Sequence, residues 1–423
     1  PEVTPTEEIT PIVTPTEEFT PEVTTVPTDQ PTPVTPETPV PTDEPSPEPT
    51  PEGVCGDYAL ASDGFPIINL SNAPCGDDSE GAVLNFSPIQ TGGAVCIAEA
   101  LYHSNGGGTW DIWRTADGME AENLTNNPAG VISMAPTRSP NGRYVVYASN
   151  ADGDWELYLI DLDNLDSAPM QLTNNTQAID LDPVFSPSGR FIAYESNVDG
   201  NWEIRVIDLT TGEKRRVTNH PANDINPFWH PDGSSLLFQS DRTGKWQIFS
   251  VTTIAGTSTA SLISDGIGDD FDPTYSPNGE RIAFRSTRNG ETAIYIMDAD
   301  GSDVRKVSLD GYTASTPVWD SGNRYIAYQA SKAGEALNDI FVYDTVTGET
   351  RQLTSSVGEM ANVQDVAPTW LCNSTTVIFA SDVSGNNRLY ALNALPMSAP
   401  PIDLTGMGSW TENEFNNRDP QNT

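Results

Sequence analysis

Four aspartates, Asp180, Asp224, Asp270 and Asp365, each stand three residues before a proline. A ring of carboxylates at one level of a repeated structure could bind a cation or a basic peptide. The simpler role is local, because an Asp at a fixed offset from a turn caps backbone N–H groups. Four tryptophans recur in the same way: Trp110, Trp155, Trp202 and Trp246 open TWDIW, DWELY, NWEIR and KWQIF. An aromatic stripe could stack on a sugar or a peptide, but packing between sheets is the commoner use of a regularly placed ring. The segments NGGGTWD, NADGDWE and NVDGNWE resemble acidic calcium loops, yet their role as hairpin turns suffices to explain them. No metal is therefore assigned.

Signatures of catalysis are missing. The chain has no GxSxG, HExxH, GxGxxG or P-loop, and its three histidines, His103, His220 and His230, fall in turns or just after strands. Carboxylates are too common for any pair to stand out. The expectation is a protein that is not an enzyme, with no catalytic residue and no cofactor.

The elements that carry these residues repeat. NFSPIQTG (85–92), TRSPNGRYVVY (137–147), VFSPSGRFIAY (184–194), FWHPDGSSLLF (228–238), TYSPNGERIAF (274–284), VWDSGNRYIAY (318–328) and TWLCNSTTVIF (369–379) follow one another at intervals of 44 to 52 residues. Each unit reads as four β-rich runs joined by Gly, Asn and Asp turns, with no helix. Several runs are apolar throughout, as for strands covered on both faces. Repeats of this length predict a propeller, because a four-stranded blade buries both faces only within a ring of blades. The passages SPNGERIAF, AIYIMDADG and TNHPANDINPFWHPDG resemble the TolB-type propeller repeat, a relative of the WD-repeat blade, over about 54–420.

A Thr or Ser closes each outer strand, at Thr125, Thr173, Thr218, Ser264, Ser308, Thr354 and Thr405. YALASDGFPIINLS (58–71) aligns with YIMDADGSDVRKVS (295–308), and NNRDPQNT (416–423) resembles the start of a first strand. The expected fold is all-β: a β-propeller of four-stranded blades, with seven complete repeats and an incomplete eighth formed from the chain ends. Packing of the N-terminal strand pair outside seven blades, or a missing strand supplied by another copy, is the alternative.

Residues 1–53 form a separate Pro/Thr-rich, low-complexity arm or stalk before the propeller domain at 54–423. Pro at this density favours polyproline II, so the arm would span roughly 160 Å at full extension. The composition fits a glycosylated stalk, whereas Val3, Ile9, Ile12, Val13, Phe19, Val23 and Val26 fit a docking arm. Cys55, Cys75, Cys96 and Cys372 make an even count suited to an oxidising compartment. Cys55–Cys75 with Cys96–Cys372 is one of three pairings. Sequons at Asn69, Asn85, Asn123, Asn174 and Asn373 are candidate glycosylation sites.

The chain holds 60 acidic and 20 basic residues, a formal charge of −40, and no Lys or Arg before Arg114. That field repels nucleic acid and anionic membrane. No segment is apolar enough for a membrane span. These readings combine into a secreted, non-catalytic structural or protein-interaction module at the cell surface. It would be the subunit of a filament whose arm docks on neighbouring copies, or a homopolymer of another kind. The alternatives are a TolB-like accessory protein of the envelope or periplasm that holds a partner peptide in its channel, and a propeller-type carbohydrate-active enzyme.

Overall fold

The computed structural model describes residues 99–105, 108–116, 121–176, 178–253, 259–355, 363–370, 375–381, 388–394 and 402–403. Among them lie seven antiparallel sheets arranged as a β-propeller, six of four strands and one of three. Blade 1 comprises Glu99–Ser104, Asp111–Ala116 and Glu122–Asn123. Blades 2 to 7 open with the inner strands Ser133–Arg138, Asp180–Phe185, Asp224–Trp229, Asp270–Tyr275, Tyr312–Trp319 and Asp365–Trp370. The inner strands of successive blades touch one another, which places them around the central axis. No described helix is long and apolar enough to cross a membrane. The arm, both halves of the expected eighth blade, all four cysteines, Thr405, Asn69, Asn85 and Asn373 lie outside the described residues.

The repeated sequence positions have identifiable structural jobs. In Ser-Pro-Asn-Gly, the Ser139 hydroxyl accepts from Tyr144 N at 2.8 Å, and Ser276 does the same for Arg281 N at 3.0 Å. The Gly must adopt φ near +74° at Gly279, where a Cβ would also lie 2.5 Å from His230 Nε2. In the sixth repeat Asp320 replaces the Ser, and its Oδ1 accepts from Tyr325 N at 2.6 Å. The closing Thr and Ser residues have one function too. Thr218 Oγ1 accepts from Ile204 N at 2.9 Å and donates to Glu203 Oε2 at 2.6 Å, fixing the fourth strand to the start of the third.

The core lies between blades. One cluster joins Ala193, Ile204 and Val206 of blade 3 to Trp229, Leu236 and Phe238 of blade 4, and comparable clusters bridge the other described neighbours. A large aromatic recurs at one position of every second strand in blades 2 to 7: Tyr147, Tyr194, Phe238, Phe284, Tyr328 and Phe379, each at most 3% exposed. Four of these rings sit 5.6–5.9 Å from an aromatic directly opposite on the third strand, as in Phe238–Phe249 and Tyr328–Phe341. Such pairs fill the widening wedge between blades and add about 1 kcal/mol each beyond simple burial. Polar ties reinforce the seams: Trp229 Nε1 donates to Val184 O at 3.1 Å, and Trp370 Nε1 to Val318 O at 3.2 Å, each across a blade boundary.

Candidate functional site: the channel wall

Every described inner strand carries a β-bulge immediately before its proline. The bulged residues are Ala135, Asp182, Asn226, Asp272, Thr316 and Ala367, all with φ between 47° and 54°. The left-handed region is costly for a residue with a Cβ, most of all for β-branched Thr316, and its recurrence shows that the surrounding structure enforces it. The bulge interrupts pairing with the second strand, for example between Leu181 and Val184. It leaves a backbone N–H without a ladder partner and turns one side chain toward the space that the inner strands enclose. None of the six bulged residues is fully buried.

At two of the six bulges a side chain from the preceding blade satisfies the freed N–H. Glu195 Oε2 accepts from Asn226 N at 2.8 Å, and Gln329 Oε1 accepts from Ala367 N at 2.7 Å. Glu195 and Gln329 occupy one position of the second strand, which also holds Ala148, Gln239, Arg285 and Ala380. In blade 5 the pattern changes, since Arg285 pairs with Asp272 of its own blade at 2.8 Å.

The wall is therefore chemically uneven. Blades 2 and 7 offer Ala135 and Ala367. Blade 3 offers Asp182 with Glu195 behind it, blade 4 Asn226, blade 5 the Asp272–Arg285 pair and blade 6 Thr316. Asp182 is solvent-exposed yet enclosed by protein, and desolvation pushes its carboxyl up to about 6. Burial, and then the nearby Asp182 charge, raise the Glu195 carboxyl well above the usual carboxylate range. Two carboxyl groups so placed cannot both ionise cheaply.

The residues singled out in the sequence take other places. Asp180, Asp224, Asp270 and Asp365 open their inner strands and are at most 2% exposed. Arg242 Nη2 holds both oxygens of Asp224 at 2.7 Å, Arg288 Nη2 reaches Asp270 at 3.0 Å, and Asn175 Nδ2 donates to Asp180 at 2.7 Å. Burial raises the carboxyls of Asp180, Asp224 and Asp270. Trp155, Trp202 and Trp246 meet in one apolar cluster between blades, whereas Trp110 packs against His103 with ring centroids 5.6 Å apart. Asn123 lies in an outer strand, where its Oδ1 accepts from Thr125 N and Asn126 N, and Asn174 is exposed. The wall residues Asp182, Glu195, Asn226, Asp272 and Arg285 were not anticipated. The available signal was their offset, one residue before each blade proline or next to last in each second strand.

A family model for the TolB beta propeller domain matches residues 112–261 and 251–398. The chain belongs to the TolB β-propeller family. No curated protein sequence matches it. Among solved structures it is similar to a TolB from Agrobacterium tumefaciens, at 24% identity over 56% of this chain and 84% of that one, with a TM-score of 0.45. An oligogalacturonate lyase from Vibrio parahaemolyticus is 16% identical over 73% of this chain and 85% of that one, TM-score 0.52. A puromycin hydrolase is 13% identical over 81% of this chain and 57% of its own length, TM-score 0.58. These neighbours correct the expectation that the protein is not an enzyme. The fold houses a lyase and a hydrolase, so a missing hydrolase elbow does not place this chain outside catalysis.

Proposed function

We propose that this protein works in the cell envelope as a TolB-like accessory propeller, holding an extended segment of a protein partner in its channel. The uneven wall carries this reading. Acid on blade 3, amide on blade 4, an Arg–Asp pair on blade 5 and small apolar groups on blades 2 and 7 give a peptide both hydrogen-bond partners and room for its backbone. A wall built only for ring closure would have no use for such variety. Placing a photo-crosslinker at Asn226 and at Asp272, with a control at Val346 on the exterior, tests it in envelope preparations. One partner captured from both channel positions and not from Val346 supports the reading. Capture from Val346 alone defeats it.

A second reading rests on the Asp182–Glu195 pair. An enclosed carboxyl near 6 is suited to general acid–base work. In this reading the channel takes an oligosaccharide. Turnover on a carbohydrate panel that disappears in Asp182→Asn is the required result, and inactivity of the parent protein across that panel rejects it. The cell-surface filament reading draws on the arm and the closing blade, both outside the described residues, and no described contact adds to it.

A further inference from the structure

The second strand of a blade has one position that faces the bulge of the next blade. Glu195 and Gln329 use it to accept from Asn226 N and Ala367 N, at 2.8 and 2.7 Å. Gln239 holds the same position in blade 4, where the neighbouring bulge is that of Asp272 in blade 5. No such bond joins Gln239 to Asp272. Gln239 is 2% exposed, and its Oε1 is buried without a donor among the described residues. A buried acceptor left unpaired is costly, and an amide that holds no partner turns without breaking a hydrogen bond.

Asp272 is engaged from within its own blade instead. Arg285 donates from Nε to Asp272 Oδ2 at 2.8 Å and lies over the Phe271 ring, 4.5 Å from its centroid. The Nη hydrogens take no part in that bond, and the Arg285 side chain is 20% exposed. Arg285 occupies the second-strand position that faces blade 6, where the bulged residue is Thr316. Thr316 Oγ1 is also buried and without a partner among the described residues. Blades 4 to 6 thus set an unpaired amide oxygen, guanidinium donors and an unpaired hydroxyl side by side around the channel. The set carries no net charge, since Asp272 offsets Arg285.

We propose that this sector receives one uncharged carboxamide, the side chain of an Asn or Gln in the partner segment; the inference rests on the peptide reading above. The amide oxygen accepts from Arg285 Nη and Thr316 Oγ1, and the amide nitrogen donates to Gln239 Oε1 once that side chain turns into the channel. A backbone peptide unit does not fit this set, because in the trans form its N–H and C=O point opposite ways. A primary carboxamide carries donors and acceptor at one end of a side chain. A carboxylate offers no donor to Gln239 and enters a chain of formal charge −40. An ammonium offers no acceptor to the guanidinium. Gln239 is the specificity-determining residue of the wall, whereas Glu195 and Gln329 are tied to backbone.

The test titrates the full chain, by calorimetry, with end-blocked peptides Ala-Ala-X-Ala-Ala in which X is Gln, Glu or Leu. The Gln peptide should bind about tenfold more tightly than the isosteric Glu peptide or the Leu peptide. Gln239→Met should abolish that preference without lowering the melting temperature, since it removes no hydrogen bond of the free protein. Gln329→Met, which strands Ala367 N, should lower it. A melting temperature that falls as far in Gln239→Met as in Gln329→Met overturns the proposal, because Gln239 would then be a structural tie like its equivalents. So does a Gln preference that survives Gln239→Met. Equal binding of the peptides overturns the carboxamide assignment and leaves the peptide channel standing. No binding of any of them at millimolar concentration overturns it as well, and crosslinking from Asn226 and Asp272 then decides the peptide reading separately.

Discussion

Blades 3 and 4 share one backbone and differ in what they place on it. Both have the bulge before proline, at Asp182 and Asn226, and both hold a buried second-strand aromatic, Tyr194 and Phe238. Opposite Phe238 stands Phe249, whereas opposite Tyr194 stands Arg205. Behind the bulge, blade 3 has Glu195 and blade 4 has Gln239; in the second turn, blade 3 has Val198 and blade 4 has Arg242. A repeat fold is secured by a few positions per unit, namely the turn Ser and Gly, the aromatic and the closing Thr. The others are free to acquire charge. Blade 3 has become the acidic sector of both the channel wall and its seam with blade 2, while blade 4 has kept amide, ring and guanidinium.

Five substitutions, at four sizes of expected effect, would sharpen this contrast. The largest effect is expected at a shared position: Phe238→Ala opens a cavity between blades and should cost about 3–5 kcal/mol in denaturant titration. Next comes Arg242→Met, which strands the buried Asp224 carboxylate and should lose about 3 kcal/mol; a neutral result would show that Asp224 is not charged there. Arg288→Met should act likewise on Asp270.

The third is Glu195→Gln, which gives blade 3 the residue type found at Gln239 and Gln329. The raised Asp182 and Glu195 carboxyls mean that the folded state retains protons the unfolded chain has released. Their contribution is full below the unfolded carboxylate range and is lost as pH rises through about 6. Glu195→Gln keeps the acceptor for Asn226 N and removes the mutual repulsion. Relative to the parent it should gain stability above about pH 6 and show a flatter dependence between about pH 4 and about pH 6, measured as urea midpoints. A dependence unchanged from the parent would mean that the Glu195 carboxyl is not raised in the folded state. The smallest effect is expected at Arg190→Ala, since Arg190 reaches Asp208 from the surface, where solvent screens the pair, with a shift of the melting temperature near the limit of measurement.

The fold was legible because its causes are local and repeated. The Ser-Pro-Asn-Gly turn, the strand pair after it and the closing Thr each draw on residues within one unit, and burial of both faces then requires neighbouring blades. The candidate acids were legible only as a pattern. Their spacing gave Asp180, Asp224, Asp270 and Asp365 a common backbone position, but whether a carboxylate there faces solvent or a guanidinium depends on residues some 18 positions on and on the adjacent blade. The wall residues were hidden more deeply, since nothing around Asp182 or Asn226 announces a left-handed residue before proline, a position where local sterics argue for extended backbone.

Sequence alone determined the repeat, the four-stranded unit, the absence of helix from the described residues and the strongly negative charge, because these follow from periodicity and composition. Tertiary structure alone decided which acids are buried together, which N–H groups the bulges release and which side chains of the preceding blade receive them. Those contacts join residues on different sheets, and only ring packing sets the distances between them.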